Sequence, residues 1–479
     1  MTLLALILVP AAAALAAWWL SPAARSRLLL VAAAGHAALT ALLWSRGSTV
    51  TLGGWLAADS LGMVVLTLVT VLFLAVSHYA VGYLAHPEAR AGRAFVSCML
   101  AFLAAATLVA TSQHLALLWI GMETTTLAVA PLVLDRSDRR SLEAVWKYLV
   151  LSSVGVAFAL LGVFLLATAQ PSAGAGRPLI ISDMMAHARK LDAAWLRMAF
   201  VFVAVGFGTK MGLAPMHSWK PDTYGQAPGL VAGLMAGALT SCAFLGLSRV
   251  SAIAFAAGQD AFVRPVLIVL GVVSLVIATA FIVGQRDVRR LLAYSSVEHM
   301  GLLALGIGIG GGAAYGSLLH VLNNGLIKGV TFLAVGNVVL AHGTSASSEV
   351  RGLLRTTPAT GALLIIGLFA VTGAPPFGLF ISEFAIVRGA FAENHPWIGG
   401  IVLLLLATIF VGIAAMILEM VYGEPDPAPV RAPRSGERTW FSVAPAALAC
   451  LVLMLGLYIP APLAEVLSRA AVLLGGHAP

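Results

Sequence analysis

Apolar runs long enough to cross a bilayer follow one another along almost the whole chain, and this removes most folds from consideration. They fall near residues 2–20, 28–44, 60–84, 94–111, 114–134, 146–168, 197–225, 229–251, 264–285, 290–310, 313–341, 359–393, 398–421 and 440–460. A chain of this kind lives in lipid, where the backbone must satisfy its own hydrogen bonds as helices or as a closed barrel. The runs are rich in Leu, Ala, Val and Gly and lack the in-out alternation of barrel strands. The expected fold is therefore all-α and polytopic, with about fourteen transmembrane helices. Composition agrees, since 60% of the 479 residues are hydrophobic and only 10% charged, too few to solvate a soluble globule.

The formal charge of +8 is topological. Lys and Arg lie in short loops and never form the basic block of a nucleic-acid binder, so no nucleic-acid partner is expected. Loops after odd-numbered runs carry Arg25 and Arg27, Arg90 and Arg93, Arg136, Arg139 and Arg140, Arg286, Arg289 and Arg290, and Arg351 and Arg355. By the positive-inside rule these loops face the cytoplasm and both chain ends face away from it. The exception is the segment 169–196, with Arg177, Arg189 and Lys190. Trp18 and Trp19 close the first run as interfacial anchors, which marks it as a retained helix. Cys98, Cys242 and Cys450 are scattered without a CxxC, so they read as packing residues, and neither a metal nor a cofactor is expected.

The informative residues are the few ionisable ones inside the runs. A charge at mid-bilayer costs about 2.5–3.5 kcal/mol on insertion scales, so it is normally paired, hydrated or functional. Glu123 lies in the fifth run, Lys210 in the seventh, Glu298 and His299 in the tenth, His320 and Lys328 in the eleventh, and Glu383 in the twelfth. Acid and base alternate as a lateral relay of protonatable groups requires. His320, Asn324 and Lys328 are spaced four apart and so share one helical face, a polar seam expected to be wet. A fixed ion pair that only specifies packing is the bland reading of any one of them. Lys147, beside Trp146 and Tyr148, reads equally as a relay member or a snorkelling lysine.

Two runs are broken. Pro215 follows Lys210, and residues 373–376 interrupt the twelfth run ahead of Glu383. A break at membrane depth is tolerated where protein or cavity water satisfies the freed carbonyl, so each is expected to mark a site. Residues 94–251 and 290–421 each hold five runs, with the broken one fourth and a central acid (Glu123, Glu298) in the second. Paired interrupted helices point to two inverted five-helix repeats. They are expected to be preceded by helices in 1–93, joined by a ninth helix in 252–289 and followed by a loop and last helix in 422–479.

The stretches GTKMGLAPMHSWKPDTYGQAP (208–228), QRDVRRLLAYSSVEHMG (285–301) and HVLNNGLIKGVTFLAVGN (320–337) carry a resemblance. They resemble the proton-pumping, antiporter-like membrane subunits shared by respiratory complex I, Mrp-type sodium/proton antiporters and group 4 membrane-bound hydrogenases. With SSVEHMG, WKPD and the YIPAPL near the end, the chain looks most like the F-type membrane component of hydrogenase-4 complexes. The resemblance implies that Glu123 and Lys210 form a first half-channel pair, and that His320, Lys328 and Glu383 belong to the second. Glu298, His299, Lys220 and Asn324 join them as further candidates. Two departures stand out: Asn324 replaces a second histidine and cannot titrate, and Arg289 replaces a loop lysine and stays charged. The chain stops soon after its last run, without the long lateral helix of a distal complex I subunit, which suggests a smaller complex or a proximal position.

The expected function is proton translocation within a multi-subunit, redox-driven complex in a bacterial-type inner membrane. Protons would pass along Lys210, Glu298 or His299, His320 and Lys328 and leave near Glu383. The partners implied are other membrane subunits, lipid and a peripheral hydrogenase or dehydrogenase module that holds the redox centres. No nucleotide loop, haem site or cluster ligation is evident in this chain. The Gly-rich run 306–312 has no strand before it and is not a dinucleotide site. A self-sufficient cation/proton antiporter and a structural membrane scaffold remain the alternatives.

Overall fold

The structure is a computed structural model describing residues 1–47, 49–86, 92–134, 139–171, 179–424 and 437–477. Arg90, Arg136 and Arg177, three of the loop cations that set the expected orientation, lie outside the described residues. Among the described residues, twelve helices are long and apolar enough to cross a membrane, by length and composition. In the first half the helices are α1 (Thr2–Ala17), α2 (Pro22–Arg46), α3 (Ser60–Leu84), α4 (Arg93–Thr111), α5 (Leu115–Val133) and α6 (Arg139–Thr168). A short α7 (Ile181–Ala186) precedes α8 (Ala193–Met211), α9 (Trp219–Gln226), α10 (Gly229–Leu234) and α11 (Thr240–Ala256). The second half contains α12 (Asp260–Ile282), α13 (Val288–Ile309), α14 (Gly311–His342), the short α15 (Leu353–Thr356), α16 (Pro358–Val371), α17 (Gly378–Ala392), α18 (Pro396–Tyr422), α19 (Trp440–Leu457) and α20 (Ala461–Leu473). α10 and α11 join through a π turn, Met235–Leu239, into one span.

Side-chain caps set several of the starts. Asp59 accepts from Gly62 N, Asp192 from Ala194 and Trp195 N, and Asp287 from Arg289 and Arg290 N, each satisfying orphan amides of a first turn. The seventh apolar run is two helices, α8 and α9, because Gly212 ends α8 in the left-handed region, with φ +74°. The twelfth divides likewise into α16 and α17.

Connections gather into two groups that follow the parity read from the sequence. Leu56 bridges Ser112 and His114 bridges Ile180, joining the loops after the second, fourth and sixth spans. Asp287 bridges Ala346, Arg351 pairs with Glu419, and Thr360 N donates to Glu437, joining the loops after the ninth, eleventh and thirteenth. Two elements had no sequence signal as spans: the small hairpin of β1 (Val50–Thr51) and β2 (Leu56–Ala57), and α20, whose Glu465, Ser468 and Arg469 break its apolarity. α20 packs back against α3 and α14.

Burial divides the bundle. α13 and the span from α10 to α11 are buried along their whole apolar length, whereas α2 and α18 bury a third of theirs, as lipid-facing helices do. Between α6 and α8 small residues bring the backbones together. A Cβ on Gly206 would lie 2.6 Å from the Gly155 carbonyl oxygen, so only glycine permits this approach. The approach places Tyr148 of α6 beside Lys210 of α8.

Candidate functional site

The titratable residues form two groups, with a buried lysine at the break between them. In the first, Glu123 of α5 is half-buried, accepting from Ser153 Oγ at 2.9 Å and from Thr126 Oγ1 at 3.4 Å. Lys210, fully buried at the end of α8, donates to Thr126 Oγ1 at 2.6 Å and to the Tyr148 hydroxyl at 3.0 Å. The acid and the lysine therefore meet through the Thr126 hydroxyl. That hydroxyl has one proton and two acceptors at nearly equal distance, the Met122 carbonyl at 3.3 Å and Glu123 Oε2 at 3.4 Å.

Lys220 of α9 reaches the second group from the break that follows Lys210. Its stem lies against Gly212 at the break, where a Cβ would collide with its Cδ and Cε, and its Nζ donates to Ser296 Oγ at 3.0 Å. The break thus lets a fully buried lysine cross from α9 to α13.

In the second group, Lys328 of α14 donates to Ser295 Oγ at 2.8 Å, so the consecutive serines of SSVEH hold the two lysines Lys328 and Lys220. His299 Nδ1 and His320 Nε2 are 3.1 Å apart, and His320 Nδ1 meets Ser382 Oγ at 3.0 Å. Glu383, the next residue on α17, lies with both histidines, and ligand atoms of the three are within 4.8 Å of one another. Glu298, His299, His320 and Lys328 are buried to within 1%, and Glu383 to within 8%. Among the described residues, Glu298 Oε2, His299 Nε2, Glu383 Oε1 and both amide atoms of Asn324 have no hydrogen-bond partner.

The spatial order differs from the order in the chain. Lys328 stands with Ser295 on the Lys220 side, and His320 stands with Ser382 and Glu383. The row therefore runs Glu123, Lys210, Lys220, Lys328, the two histidines, Glu383, instead of placing Lys328 after His320. Eight residues of α14 separate those two side chains by about 12 Å along the helix axis, so each meets a different neighbour.

Lys147 stands apart from this row. Its ammonium pairs with Glu143 at 2.7 Å and Asp222 at 2.9 Å, its side chain is 43% exposed, and Arg290 pairs with the other oxygen of Asp222 at 2.8 Å. These groups line a cavity of about 750 Å³ with Arg140, Arg286 and Arg289. Residues that the sequence reading missed are the hydroxyls Thr126, Ser153, Tyr148, Ser295, Ser296 and Ser382. For Thr126 and Ser295 a signal existed, one helical turn from Glu123 and Glu298 respectively.

Known proteins share both the sequence pattern and the fold. The family model described as NADH:quinone oxidoreductase/Mrp antiporter, TM, matches residues 112–411. The Hydrogenase-4 component F homolog of Methylacidiphilum infernorum (isolate V4) is 32% identical over 441 residues, 88% of this chain and 89% of that protein. A chain of respiratory complex I from Thermus thermophilus with bound aureothin superposes with TM-score 0.79 at 25% identity, covering 95% of this chain and 97% of that one. A chain of the Mrp complex from Dietzia sp. DQ12-45-1b gives TM-score 0.85 at 19% identity over 98% and 97%, a likeness of fold.

Proposed function

This chain belongs to the NADH:quinone oxidoreductase/Mrp antiporter transmembrane family, and we propose that it is the proton-translocating membrane subunit of a redox-driven complex of hydrogenase-4 or complex I type. The observation that carries the reading is the buried row from Glu123 to Glu383, in which hydroxyls and imidazoles stand between the acids and lysines. Buried charge at membrane depth is expensive, and a row of it on five separate spans serves something other than packing.

Protons enter from the cavity beside Asp222, two residues after Lys220 in α9, and move between the lysines and the acids on either side. A lysine deep in protein resists protonation because its ammonium loses hydration, and an approaching carboxylate restores it. Small shifts of helix against helix at the two breaks therefore load and unload protons. The energy comes from partner subunits, since membrane neighbours and a peripheral redox module supply what this chain lacks. The complex sits in a bacterial-type inner membrane, and the two halves, residues 94–251 and 290–421, act as inverted repeats.

The test is proton uptake in vesicles carrying the native complex, with Lys210→Ala compared with wild type. Uptake at background with the complex assembled supports the relay. Unchanged uptake leaves the row a packing device and returns the function to the partners.

A further inference from the structure

His299, His320 and Glu383 bring imidazoles and a carboxylate together from three helices, in a site buried to within 8%. The 3.1 Å between His299 Nδ1 and His320 Nε2 is close to the ~3.3 Å between two nitrogens bound to one tetrahedral Zn²⁺ at ~2.0 Å. The other nitrogen of His320 is held by Ser382 at 3.0 Å, the kind of partner that fixes a ligating imidazole. Glu383 Oε1 is orphaned among the described residues, and a buried polar atom without a partner carries a free-energy cost that a ligand relieves. We propose that this triad binds a divalent transition cation of the Zn²⁺ class, which occupies the space between the imidazoles and halts proton transfer there. Two nitrogens and one carboxylate suit such an ion, with water in the fourth position, and suit Mg²⁺ or Ca²⁺ poorly. Binding stands on the geometry alone, while the block rests on the relay reading.

The experiment is equilibrium dialysis of the assembled complex against Zn²⁺, with bound metal counted and its ligands read by X-ray absorption, alongside proton uptake in vesicles. Wild type should hold one more Zn²⁺ per chain than His299→Asn or His320→Asn, in a nitrogen- and oxygen-ligated shell. Ser382→Ala should weaken binding about tenfold or more, and inhibition of uptake should need correspondingly more Zn²⁺. Equal Zn²⁺ in wild type and both histidine variants overturns the site. Should either variant fail to assemble, unchanged affinity in Ser382→Ala overturns it instead. Bound Zn²⁺ with undiminished uptake keeps the site and removes these histidines from the relay.

A separate observation concerns the lysines. Lys210 donates to the hydroxyl three residues after Glu123, and Lys328 to the hydroxyl three residues before Glu298. The offset reverses between the two halves, as it would if their glutamate-bearing helices ran in opposite senses past the lysine. We infer that Thr126 and Ser295 carry the proton between lysine and glutamate, an inference that deepens the relay reading. An N–H proton of Lys210 passes to Thr126 Oγ1 as the hydroxyl proton of Thr126 passes to Glu123 Oε2. The hydroxyl is regenerated, the lysine is left neutral and the acid protonated.

Thr126→Val removes the hydroxyl and keeps the shape, so uptake should fall about tenfold or more. Thr126→Ser should restore it, and the solvent deuterium effect on uptake should differ between Thr126→Val and wild type. Full uptake with an unchanged deuterium effect in Thr126→Val overturns the inference. If Lys210→Ala also pumps normally, the relay reading falls with it.

Discussion

The two groups of buried charge solve the same problem differently. Around Glu123 and Lys210, both carboxylate oxygens and the ammonium have partners, and Glu123 is only half-buried. Around Glu298, His299 and Glu383 the side chains are almost fully buried, yet one atom of each has no partner among the described residues. A satisfied network is rigid and cheap to keep, whereas an unsatisfied one is costly and poised to accept a proton, water or an ion. If the row conducts as proposed, the first group is a resting store and the second is where occupancy changes.

The largest effect that tests this contrast is on transport. Lys328→Ala should abolish proton uptake in vesicles with the complex assembled, as Lys210→Ala should. Uptake that survives one change and not the other would show that only one group conducts.

Next come opposite effects on stability. Glu298→Gln removes a buried carboxylate with an orphaned oxygen and should raise the unfolding midpoint of the purified complex. Glu123→Gln disturbs a satisfied carboxylate and should leave the midpoint level or lower it. Midpoints that move together would remove the distinction between the groups.

Asn324→Leu is a smaller test. Replacing an amide that lacks partners with an apolar side chain of similar size should stabilise by about 1 kcal/mol, read as a raised midpoint. A matching fall in proton uptake would place Asn324 in the conducting line as a residue that orients water.

The smallest change is expected at the rim. Lys147→Ala loses two ion pairs screened by solvent and should lower uptake less than about twofold. A loss as large as that of Lys328→Ala would bring Lys147 into the row.

Much of this was legible in the residues. The class and the two breaks follow from apolar length and from proline, because lipid leaves the backbone no other way to satisfy its hydrogen bonds. Glu123, Lys210, Glu298 and Lys328 were visible because charge in an apolar run is conspicuous. Ser296 and Ser382 were not, since a hydroxyl costs little in a helix by bonding back to its own turn, as Thr107 does to Leu103; Thr126 and Ser295 were marked only by standing one turn from an acid. Lys147 was ambiguous because its partner Asp222 is distant in the chain.

The sequence alone therefore determined a polytopic helical protein with interrupted spans and a set of buried acids, lysines and histidines. Its local periodicity and charge pattern are properties of single segments, which the bilayer acts on directly. Only the tertiary structure decided that Lys220 reaches α13 from the break after Lys210, that Lys328 precedes His320 in space, and that the Thr126 hydroxyl stands between Lys210 and Glu123. Those facts depend on which side chains of separate helices meet, and helix contacts are set by packing across spans, which no single run encodes.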